Sequence, residues 1–563
     1  MVLGIPPGLF LIAGALLVPL FHGRWRQMYM LFLPLAGLWC LIDGPSGNFF
    51  AFTFFDYEIV PVRIDRLSLI FGYIFHIAAA LSVVYAWHND DIIEQMAGLA
   101  YAGSGIGALF AGDLITLFIY WEAMAVTSVF LIWARRTDAA YAAGMRYLII
   151  QVGSGVLLLS GAILMAHETG SIAFEKMTLG SLATWLILLA FGIKCAFPFM
   201  HNWLQDAYPE ATVTGTVFLS AFTTKCAVYA LARGFPGTEL LIYVGAAMTA
   251  FPIFYAVIEN DLRRVLAYSL NNQLGFMVVG VGIGTTLAIN GAAAHAFAHI
   301  LYKALLFMSM GAVLYRVGTV KGSELGGLYK SMPFTTVFCI IGAASISAFP
   351  LFSGFIAKSL TLSAVAHEGY LAVWMILLFA SAGVFHHSGI KIPYFAFFAH
   401  DSGKRCKEAP LNMLIAMGIT AFLCIAIGVY SPWLYSLLPH PVDYVPYTTS
   451  HVIGQYQLLM FSALAFAVLM RFKIYPPELK SVNLDFDITY RKWLPSLYKW
   501  LISRTRDGWQ SILQDLRQGV HRFVAYMFRH HGPEGILART WPTGSMALWV
   551  AVLLGGFLLI YYV

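Results

Sequence analysis

Several ionisable residues of this chain lie inside long apolar stretches, where a charge is expensive. Glu122 lies in LFIYWEAMAVTS, Lys194 in LLAFGIKCAFPF, Lys225 in FLSAFTTKCAVYAL, Lys303 in HAFAHILYKALLF and Lys391 in HHSGIKIPYFAF. A charge at the centre of a bilayer costs at least about 2.5 to 3.5 kcal/mol, so each residue needs a partner, water or a function. A single case near a helix end can be a snorkelling or paired residue, but five at similar depth predict a path for protons.

Glu122 and Lys194 are the first candidates for a working pair. Burial penalises the charged form of a lysine and a nearby carboxylate favours it, so the two side chains facing each other would form a switchable proton site. This pairing requires the two groups to lie close together in the folded chain, directly or through water.

Three further groups follow one another on a single predicted helix. His295, His299 and Lys303 are spaced i, i+4 and i+8, which gives a column of about 12 Å on one face. Such a column suits a hydrated proton wire. Two alternatives stay open: histidines bonded structurally within a bundle, and a metal site, which the lack of a nearby acid and the repelling lysine disfavour. His386 and His387 are accessory candidates that would extend the wire, with a structural role as their alternative.

Two lysines belong to Gly-Ile-Lys stretches that are soon followed by a proline. Residues 192–194 precede Pro198, and residues 389–391 precede Pro393. Proline removes a backbone donor and clashes with the preceding turn, and free backbone groups at membrane depth are tolerated only against protein or water. We therefore predict a helix break with a hydrated cavity at each lysine, or else an ordinary packing kink. With five spans per half, the matched positions also predict an inverted repeat.

Charged residues also cluster at two predicted cytoplasmic helix ends. Asp206 and Glu210 lie in QDAYPEA, and Asp261, Arg263 and Arg264 lie in ENDLRR. We interpret them as solvated loop charges with structural partners; a funnel that admits protons is the alternative, with Asp206 as an accessory proton site.

The elements that position these groups must be membrane helices. Hydrophobic residues make up 60% and charged residues 11% of the 563 residues, and the mean hydropathy is +0.74, more than a soluble core can hide. Apolar runs of roughly 20 residues, about sixteen in all, recur along the chain. They are apolar on all faces, unlike the short alternating strands of a membrane barrel. The predicted fold class is an all-α polytopic membrane protein, and we expect the first run to be a retained span because it lacks signal-peptide features.

The chain divides into five predicted parts, and NFFAFTFFDYEIVPVRIDRLS between the second and third spans predicts a small extracytoplasmic β-hairpin. The parts are N-terminal helices at 1–94, a translocation core at 95–400 with repeats at about 95–235 and 236–400, two helices within 401–472, an amphipathic lateral segment at 473–544 and a final span at 545–563.

The amphipathic segment differs in kind from the rest of the chain. Apolar positions from Trp509 to Met527 follow helical spacing, with arginines on other faces, which predicts a helix along the cytoplasmic surface. Pro495, Gly508 and Gly519 predict that this helix is broken into pieces. Its apolar face would rest on lipid or on neighbouring subunits.

Charge and cysteine usage narrow the function further. The net charge of +6 and six scattered cysteines indicate neither nucleic-acid binding nor a disulfide framework, zinc site or iron–sulfur site. Basic loops fall on one side if the spans alternate, which predicts a bacterial cytoplasmic (inner) membrane protein with an extracytoplasmic N-terminus. No phosphate loop, nucleophile elbow or dinucleotide fingerprint occurs in its required context, so we expect no catalysis by this chain alone.

With these residues in view, the chain resembles the antiporter-like subunits shared by complex I, Mrp-type sodium/proton antiporters and membrane-bound hydrogenases. The matching positions are Trp121 and Glu122; Lys194; Trp203, Asp206 and Glu210; residues 260–269 (NDLRRVLAYS); residues 295–307; Ser353 to Lys358 in SGFIAK; and Lys391. The resemblance covers roughly residues 95 to 400. It implies fourteen core helices with two inverted five-helix repeats, and no bound cofactor or metal.

The resemblance also implies roles for these residues. Glu122 and Lys194 would be the coupled pair and Lys391 the terminal exchange group. The implied central relay is Lys225, His295, His299 and Lys303, with Asp206, Lys358, His386 and His387 as accessory candidates. Lysine at positions 225 and 391 favours the Mrp D-like branch, whereas EATVTG in place of the usual EAPTP and the long C-terminal extension favour a distal complex I-type subunit.

Three functions follow from these observations. The first is a subunit that moves protons, exchanged for sodium, within an antiporter complex of several membrane subunits. The second is the distal pump subunit of a quinone-reducing or hydrogen-evolving complex. The third is a membrane subunit that energises a partner, such as an inorganic-carbon uptake protein with zinc ligands.

Overall fold

The chain is mostly helical. A computed structural model describes residues 4–42, 44–476, 478–479, 483, 485–533, 535–536, 538 and 542–562. They form two compact units, Met1–Asn483 and Leu484–Val563. Ten of the described helices are long and apolar enough to cross a membrane. The predicted all-α polytopic membrane architecture is confirmed.

The helices of the first unit follow one another in chain order. The N-terminal helices are α1 (Pro7–Leu16), α2 (Gly23–Ile42) and α3 (Arg66–Tyr85). The first half of the core contains α4 (Ile92–Phe110), α5 (Leu114–Trp133), α6 (Asp138–Thr169), α7 (Leu182–Lys194), α8 (Asn202–Ala207), α9 (Gly215–Ala221) and α10 (Thr223–Gly234). The second half contains α11 (Leu240–Ile258), α12 (Leu262–Ile283), α13 (Thr286–Val317), α14 (Pro333–Ile346), α15 (Ser353–His367) and α16 (Leu371–Val384). Then come α17 (Leu411–Val429), α18 (Ser431–Ser436) and α19 (Thr449–Arg471).

The predicted β-hairpin between the second and third helices is confirmed. Strand β1 (Gly47–Phe49) pairs antiparallel with β4 (Val62–Ile64), and β2 (Phe52–Phe54) pairs antiparallel with β3 (Tyr57–Ile59). Asp65 then caps α3 by accepting a 2.9 Å hydrogen bond from the Ser68 amide. The same carboxylate accepts bonds of 2.8 and 2.6 Å from Arg233 at the end of α10, so the hairpin fixes α3 to α10.

Two membrane segments are broken at the same sequence pattern. Between α7 and α8 the chain reads AFPF, with positive φ of 60° at Ala196 and 68° at Phe199. Between α14 and α15 it reads AFPL, with positive φ of 57° at Ala348 and 75° at Leu351. Non-glycine residues adopt positive φ at a cost, and a helix cannot continue through them. The predicted break at Pro198 is confirmed.

The predicted break at Pro393 is wrong. From Leu371 to Phe398 the segment is one continuous helix, with π-helical stretches at Phe385–Lys391 and Tyr394–Phe398. A π turn changes the hydrogen-bond spacing, and the helix thereby accommodates a residue that cannot donate. The two Gly-Ile-Lys stretches therefore do not occupy equivalent positions.

The broken segments, rather than the tripeptides, align the two halves. In each half the fourth of five membrane segments is interrupted: α7 with α8 in the first, and α14 with α15 in the second. By this order Lys194 corresponds to Lys358, and Lys225 corresponds to Lys391. Five segments per half would invert the second half relative to the first, which stays a prediction.

In the second unit, the prediction that the amphipathic segment is broken into several helices is wrong. Helix α20 runs without a break from Leu494 to His531, over 38 residues. Pro495 lies in the first turn, where no helical donor is needed. Gly508 and Gly519 each cost only about 1 kcal/mol relative to alanine, which is too little to end so long a helix. Helix α21 (Thr543–Tyr562) is apolar throughout and long enough to cross a bilayer.

The link through Asp65 generates a prediction about stability. We expect Asp65→Ala to lower the melting temperature of the purified protein, because the loss of the cap alone costs about 0.5 to 2 kcal/mol and Arg233 loses its carboxylate. Thermal unfolding followed by tryptophan fluorescence measures this change. Asp56→Ala, an exposed turn position of the same hairpin, is the matched control and should melt like the wild type; equal melting of the two variants would contradict the prediction.

Candidate functional site

Lys194 lies in the interior at the last residue of α7, next to α5. Its ammonium donates to the Trp121 carbonyl at 2.6 Å and lies 4.8 Å from the centre of the Trp121 ring. The Trp121 indole donates to Ser154 at 2.9 Å, and Ser154 donates to the Ala190 carbonyl at 2.8 Å. These bonds hold α5, α6 and α7 together around the lysine.

Glu122 lies beside this lysine without touching it. The Glu122 carboxylate and the Lys194 ammonium interact electrostatically, but they do not form a direct ion pair. The Glu122 Oε1 atom accepts no hydrogen bond from a described residue. An added methyl group at Gly155 of α6 would overlap Oε1. The carboxylate thus occupies a space that only glycine leaves open.

Two further lysines rest on carbonyl groups at helix interruptions. Lys225 donates to the Ser220 carbonyl at 2.5 Å, next to the junction at Phe222 where α9 ends and α10 begins. Lys358 donates to the Ile346 carbonyl at 2.7 Å, at the end of α14. Carbonyl groups at the last turn of a helix have no intrahelical partner, so an ammonium group satisfies them.

The central column lies on helix α13, and 94% of the most apolar 18-residue stretch of this helix is buried. His295 Nε2 lies 2.9 Å from the Tyr302 hydroxyl and 3.2 Å from Gln273 Oε1. Tyr302 donates to the same Gln273 oxygen at 3.1 Å. His295 therefore belongs to a polar cluster that connects α12 with α13.

The next two groups of the column have no hydrogen-bond partner within the described part of the chain. Both ring nitrogens of His299 and the ammonium of Lys303 are buried and unbonded, and the rings of His295 and His299 are 6.2 Å apart. Buried polar groups in proteins are normally hydrogen-bonded to protein or to water. His299 and Lys303 are therefore candidates for contact with bound water.

Asp206 and Glu210 have structural partners, as predicted, but Asp206 and Arg263 are buried and not solvated as expected. Asp206 accepts two hydrogen bonds from Arg146, at 2.7 and 3.0 Å, and Glu210 lies 3.4 Å from Arg135. Arg263 donates to the carbonyls of Pro209 and Ala211 at 3.1 and 3.2 Å.

Lys391 lies apart from the other lysines, and its ammonium group reaches the end of α11. Its ammonium is fully buried and donates to the carbonyls of Ala256, Val257 and Glu259. Four residues earlier in the chain, His387 interacts electrostatically with Lys303, Lys358 and Lys391. His386 instead stacks on Tyr475, with ring centres 5.4 Å apart.

The structure thus brings Glu122 together with Lys194, and joins His295, His299 and Lys303 in one column. It does not give Lys391 the predicted equivalence with Lys194; that position belongs to Lys358, which the sequence placed only among the accessory candidates. The repeated Ala-Phe-Pro pattern in the sequence could have indicated that Lys358, and not Lys391, corresponds to Lys194. Ser154, Gln273 and Tyr302 escaped prediction because uncharged polar residues are common in membrane helices.

Comparison with known proteins agrees with this geometry. Residues 111–385 match the protein family described as NADH:quinone oxidoreductase/Mrp antiporter, TM. Hydrogenase-4 component B of Escherichia coli (strain K12) is 27% identical over 437 residues, which are 69% of this chain and 65% of that protein. The D-type Na(+)/H(+) antiporter subunit of Alkalihalophilus pseudofirmus is 31% identical over 305 residues, 50% of this chain and 62% of that protein. The chain therefore spans just under two thirds of the length of these relatives.

Solved structures share the fold. A chain of the Mrp complex from Dietzia sp. DQ12-45-1b superposes with a TM-score of 0.77 at 21% identity, over 92% of this chain and 62% of that chain. A chain of the membrane-bound sulfane sulfur reductase, an archaeal respiratory membrane complex, superposes with a TM-score of 0.71 at 22% identity, over 98% of this chain and 99% of that chain.

The space around Glu122 generates a second prediction. We expect Gly155→Ala to displace the Glu122 carboxylate and to reduce proton uptake into vesicles that contain the reconstituted complex by about 10²-fold or more, as for the loss of a positioned proton-transfer group. Quenching of a pH-sensitive dye measures the uptake. Gly153→Ala on the same helix is the matched control, because an added methyl there meets no described atom within 4 Å. Equal uptake by both variants would refute the role of Gly155.

Proposed function

We propose that this chain, which is an antiporter-like membrane subunit of the Mrp, complex I and hydrogenase family, carries protons along its buried lysines and histidines. The predicted antiporter function is the preferred form of this proposal: protons are exchanged for a monovalent cation such as sodium within a complex of several membrane subunits. The observation that carries it is the line of ionisable groups at membrane depth in both halves of the core.

All members of the line except Glu122 are almost completely buried. Glu122 is half-buried, and the other members are at most 1% exposed: Lys194, Lys225, His295, His299, Lys303 and Lys358. A buried charge of this kind is retained when it serves an ion pathway or a relay. Lys225 and Lys358 can hold a proton and pass it on, because the carbonyl partner of each adds no charge that would fix it as an ammonium ion.

Water completes the line where side chains alone do not connect. Buried polar side-chain atoms without a hydrogen-bond partner among the described residues also occur at Gln151, Asn271 and Thr224. They add to the unbonded nitrogens of His299 and Lys303. Water bound at these atoms would bridge the gaps between successive side chains, as buried water does for unsatisfied polar groups elsewhere.

Asp206, His386 and Lys391 have a different position in this proposal. Asp206 is held by Arg146, and His386 stacks on Tyr475, so we assign neither of them a step of the relay. In this proposal Lys391 connects to the line through His387, which interacts electrostatically with Lys303, Lys358 and Lys391. Lys391 remains our proposed terminal exchange group.

A second candidate function is the distal proton pump of a redox-driven complex, either complex I-like or hydrogenase-like. The sulfane sulfur reductase chain favours it, since almost the whole of that chain superposes on almost the whole of this one. Here the relay would be the same, and an oxidoreductase elsewhere in the complex would drive it.

The relay generates a third prediction. We expect Glu122→Gln, Lys303→Met and Lys358→Met each to reduce proton transport by the reconstituted complex by about 10²-fold or more, because each removes the group that holds the proton. Lys330→Met, a surface lysine whose side chain is 49% exposed, should transport normally. Wild-type transport in Lys303→Met or Lys358→Met would disprove the relay.

The choice between the two functions rests on the partners. We expect a tag on this chain to purify small hydrophobic antiporter subunits and no iron–sulfur protein, as identified by mass spectrometry. Recovery of iron–sulfur subunits would favour the redox pump instead. A matched purification from cells with the untagged chain is the control for nonspecific binding.

A further inference from the structure

Two cavities of the first unit border the short helix α18. The first has a volume of about 530 Å³ and is lined by Arg66 and by residues of α18 and of the segment that follows it. The second has a volume of about 370 Å³ and is lined by residues of α2, α3 and α13 together with Trp433 and Leu437. We call them the Arg66 cavity and the Trp433 groove. Both volumes lie in the range of about 300 to 1,000 Å³ that is usual for ligand sites.

The two cavities lie at successive depths along the membrane helices. Arg66 is the first residue of α3, whereas Tyr73 and Ile77 of the groove follow seven and eleven residues later. At 1.5 Å per residue, the groove reaches about 10 to 16 Å farther along α3 than Arg66 does. The segment after α18 is fixed near the beginning of α13, where the Asn290 side chain exchanges hydrogen bonds of 2.9 and 3.0 Å with the His440 backbone. The Arg66 cavity therefore lies at the membrane boundary, and the groove lies within the apolar layer.

The Trp433 groove suits a hydrocarbon chain. All of its described lining residues are aliphatic or aromatic. Its wall is open at Ile42 and Trp433, which are 57% and 43% exposed, whereas Phe297 is only 1% exposed. The rings of Phe297 and Trp433 meet edge to face, with centres 6.0 Å apart. A hydrocarbon chain needs no hydrogen bonds and gains dispersion contacts along such a surface.

The Arg66 cavity offers hydrogen-bond donors to an anion. Arg66 is exposed, and among the described residues it donates only to the Ser436 carbonyl, at 3.3 Å. A guanidinium group has five N–H donors, so most of them can serve a phosphate, whose geometry the guanidinium matches. His440 and the hydroxyl group of Ser431 also line the cavity, whereas none of its described lining residues carries a carboxylate. Asp443, in the same segment, is exposed and is not among them.

We propose that the Arg66 cavity and the Trp433 groove together bind one anionic phospholipid. Its phosphate lies at the Arg66 guanidinium, and one of its acyl chains lies in the groove along α3. A headgroup with net negative charge is favoured, because an added ammonium group would meet the guanidinium and no lining carboxylate. Phe297 lies two residues from both His295 and His299, so the acyl chain packs against the helix that carries the central column.

The test measures lipid binding to the complex, purified through a tag on this chain and stripped of lipid by detergent. Phosphatidylglycerol or phosphatidylcholine of equal chain length is titrated in, and bound lipid is counted by native mass spectrometry. We expect the wild type to bind phosphatidylglycerol about tenfold more tightly, roughly the effect of one charged contact. Equal affinity for the two lipids would overturn the proposal. Binding of neither lipid would also overturn it, since a neighbouring subunit would then cover this face.

Variants of the arginine test the headgroup site. Arg66→Gln should bind the two lipids equally, whereas Arg66→Lys keeps the charge and should retain the preference for phosphatidylglycerol. Arg24→Gln is the matched control, because it removes the same charge at an exposed position at the other end of α2, and it should behave as the wild type. A full preference for phosphatidylglycerol in Arg66→Gln would refute the headgroup site.

A variant that fills the groove tests the site of the acyl chain. Leu38→Trp should weaken the binding of both lipids about tenfold, because the chain loses its apolar contacts. Leu35→Trp, at a 47% exposed position of the same helix outside the groove, should bind both lipids as the wild type does. Equal binding by the two variants would overturn the proposal. Glycerol 3-phosphate, which has no acyl chains, should not displace the lipid, and displacement would indicate a site for free anions instead.

Discussion

Buried ammonium groups resting on backbone carbonyls are the interaction on which this structure depends. The ammonium groups of Lys225 and Lys358 each contact the end of a neighbouring helix, where carbonyl oxygens have no partner within the helix. A carbonyl group stabilises an ammonium without adding a charge. A carboxylate in the same place would leave a buried anion whenever the lysine lost its proton, at a cost of several kcal/mol. The helix interruptions and the lysines therefore occur together for a physical reason.

Lys194 also contacts a carbonyl oxygen, but this oxygen belongs to Trp121 in the middle of α5 rather than to a helix end. There the indole of the same residue and Ser154 fix α5 against α6. The first half of the core thus stabilises a buried ammonium group in two ways: at a free helix end for Lys225, and against a packed aromatic residue for Lys194.

Much of this organisation could be predicted from the sequence, because a charge in an apolar run is costly wherever the run folds. Glu122, Lys194 and the column on α13 were identified on that basis, and the hairpin followed from β-branched and aromatic residues at alternating spacing. The family resemblance was visible in the same motifs, and the match over residues 111–385 agrees with it.

The errors arose where backbone conformation decides the outcome. A proline after a lysine predicts a break at both Pro198 and Pro393, but only the first lies next to residues with positive φ, whereas Pro393 lies in a π-helical segment. Side-chain patterns do not report φ, so the tripeptide match was misleading and Lys358 was undervalued. The continuity of α20 was missed for a related reason, since the penalty of a glycine is small when it is distributed over a long helix.

The bond between Asp65 and Arg233 has a mechanical consequence for Lys225. Arg233 lies in the last turn of α10, and Asp65 begins α3, so the far end of α10 is anchored to a neighbouring helix and to the hairpin. The near end starts at the junction with α9, at Phe222. A rotation of α10 about this junction would displace Lys225, which lies three residues from it, less than it displaces residues farther along the helix, so the ammonium group would stay near its carbonyl partner.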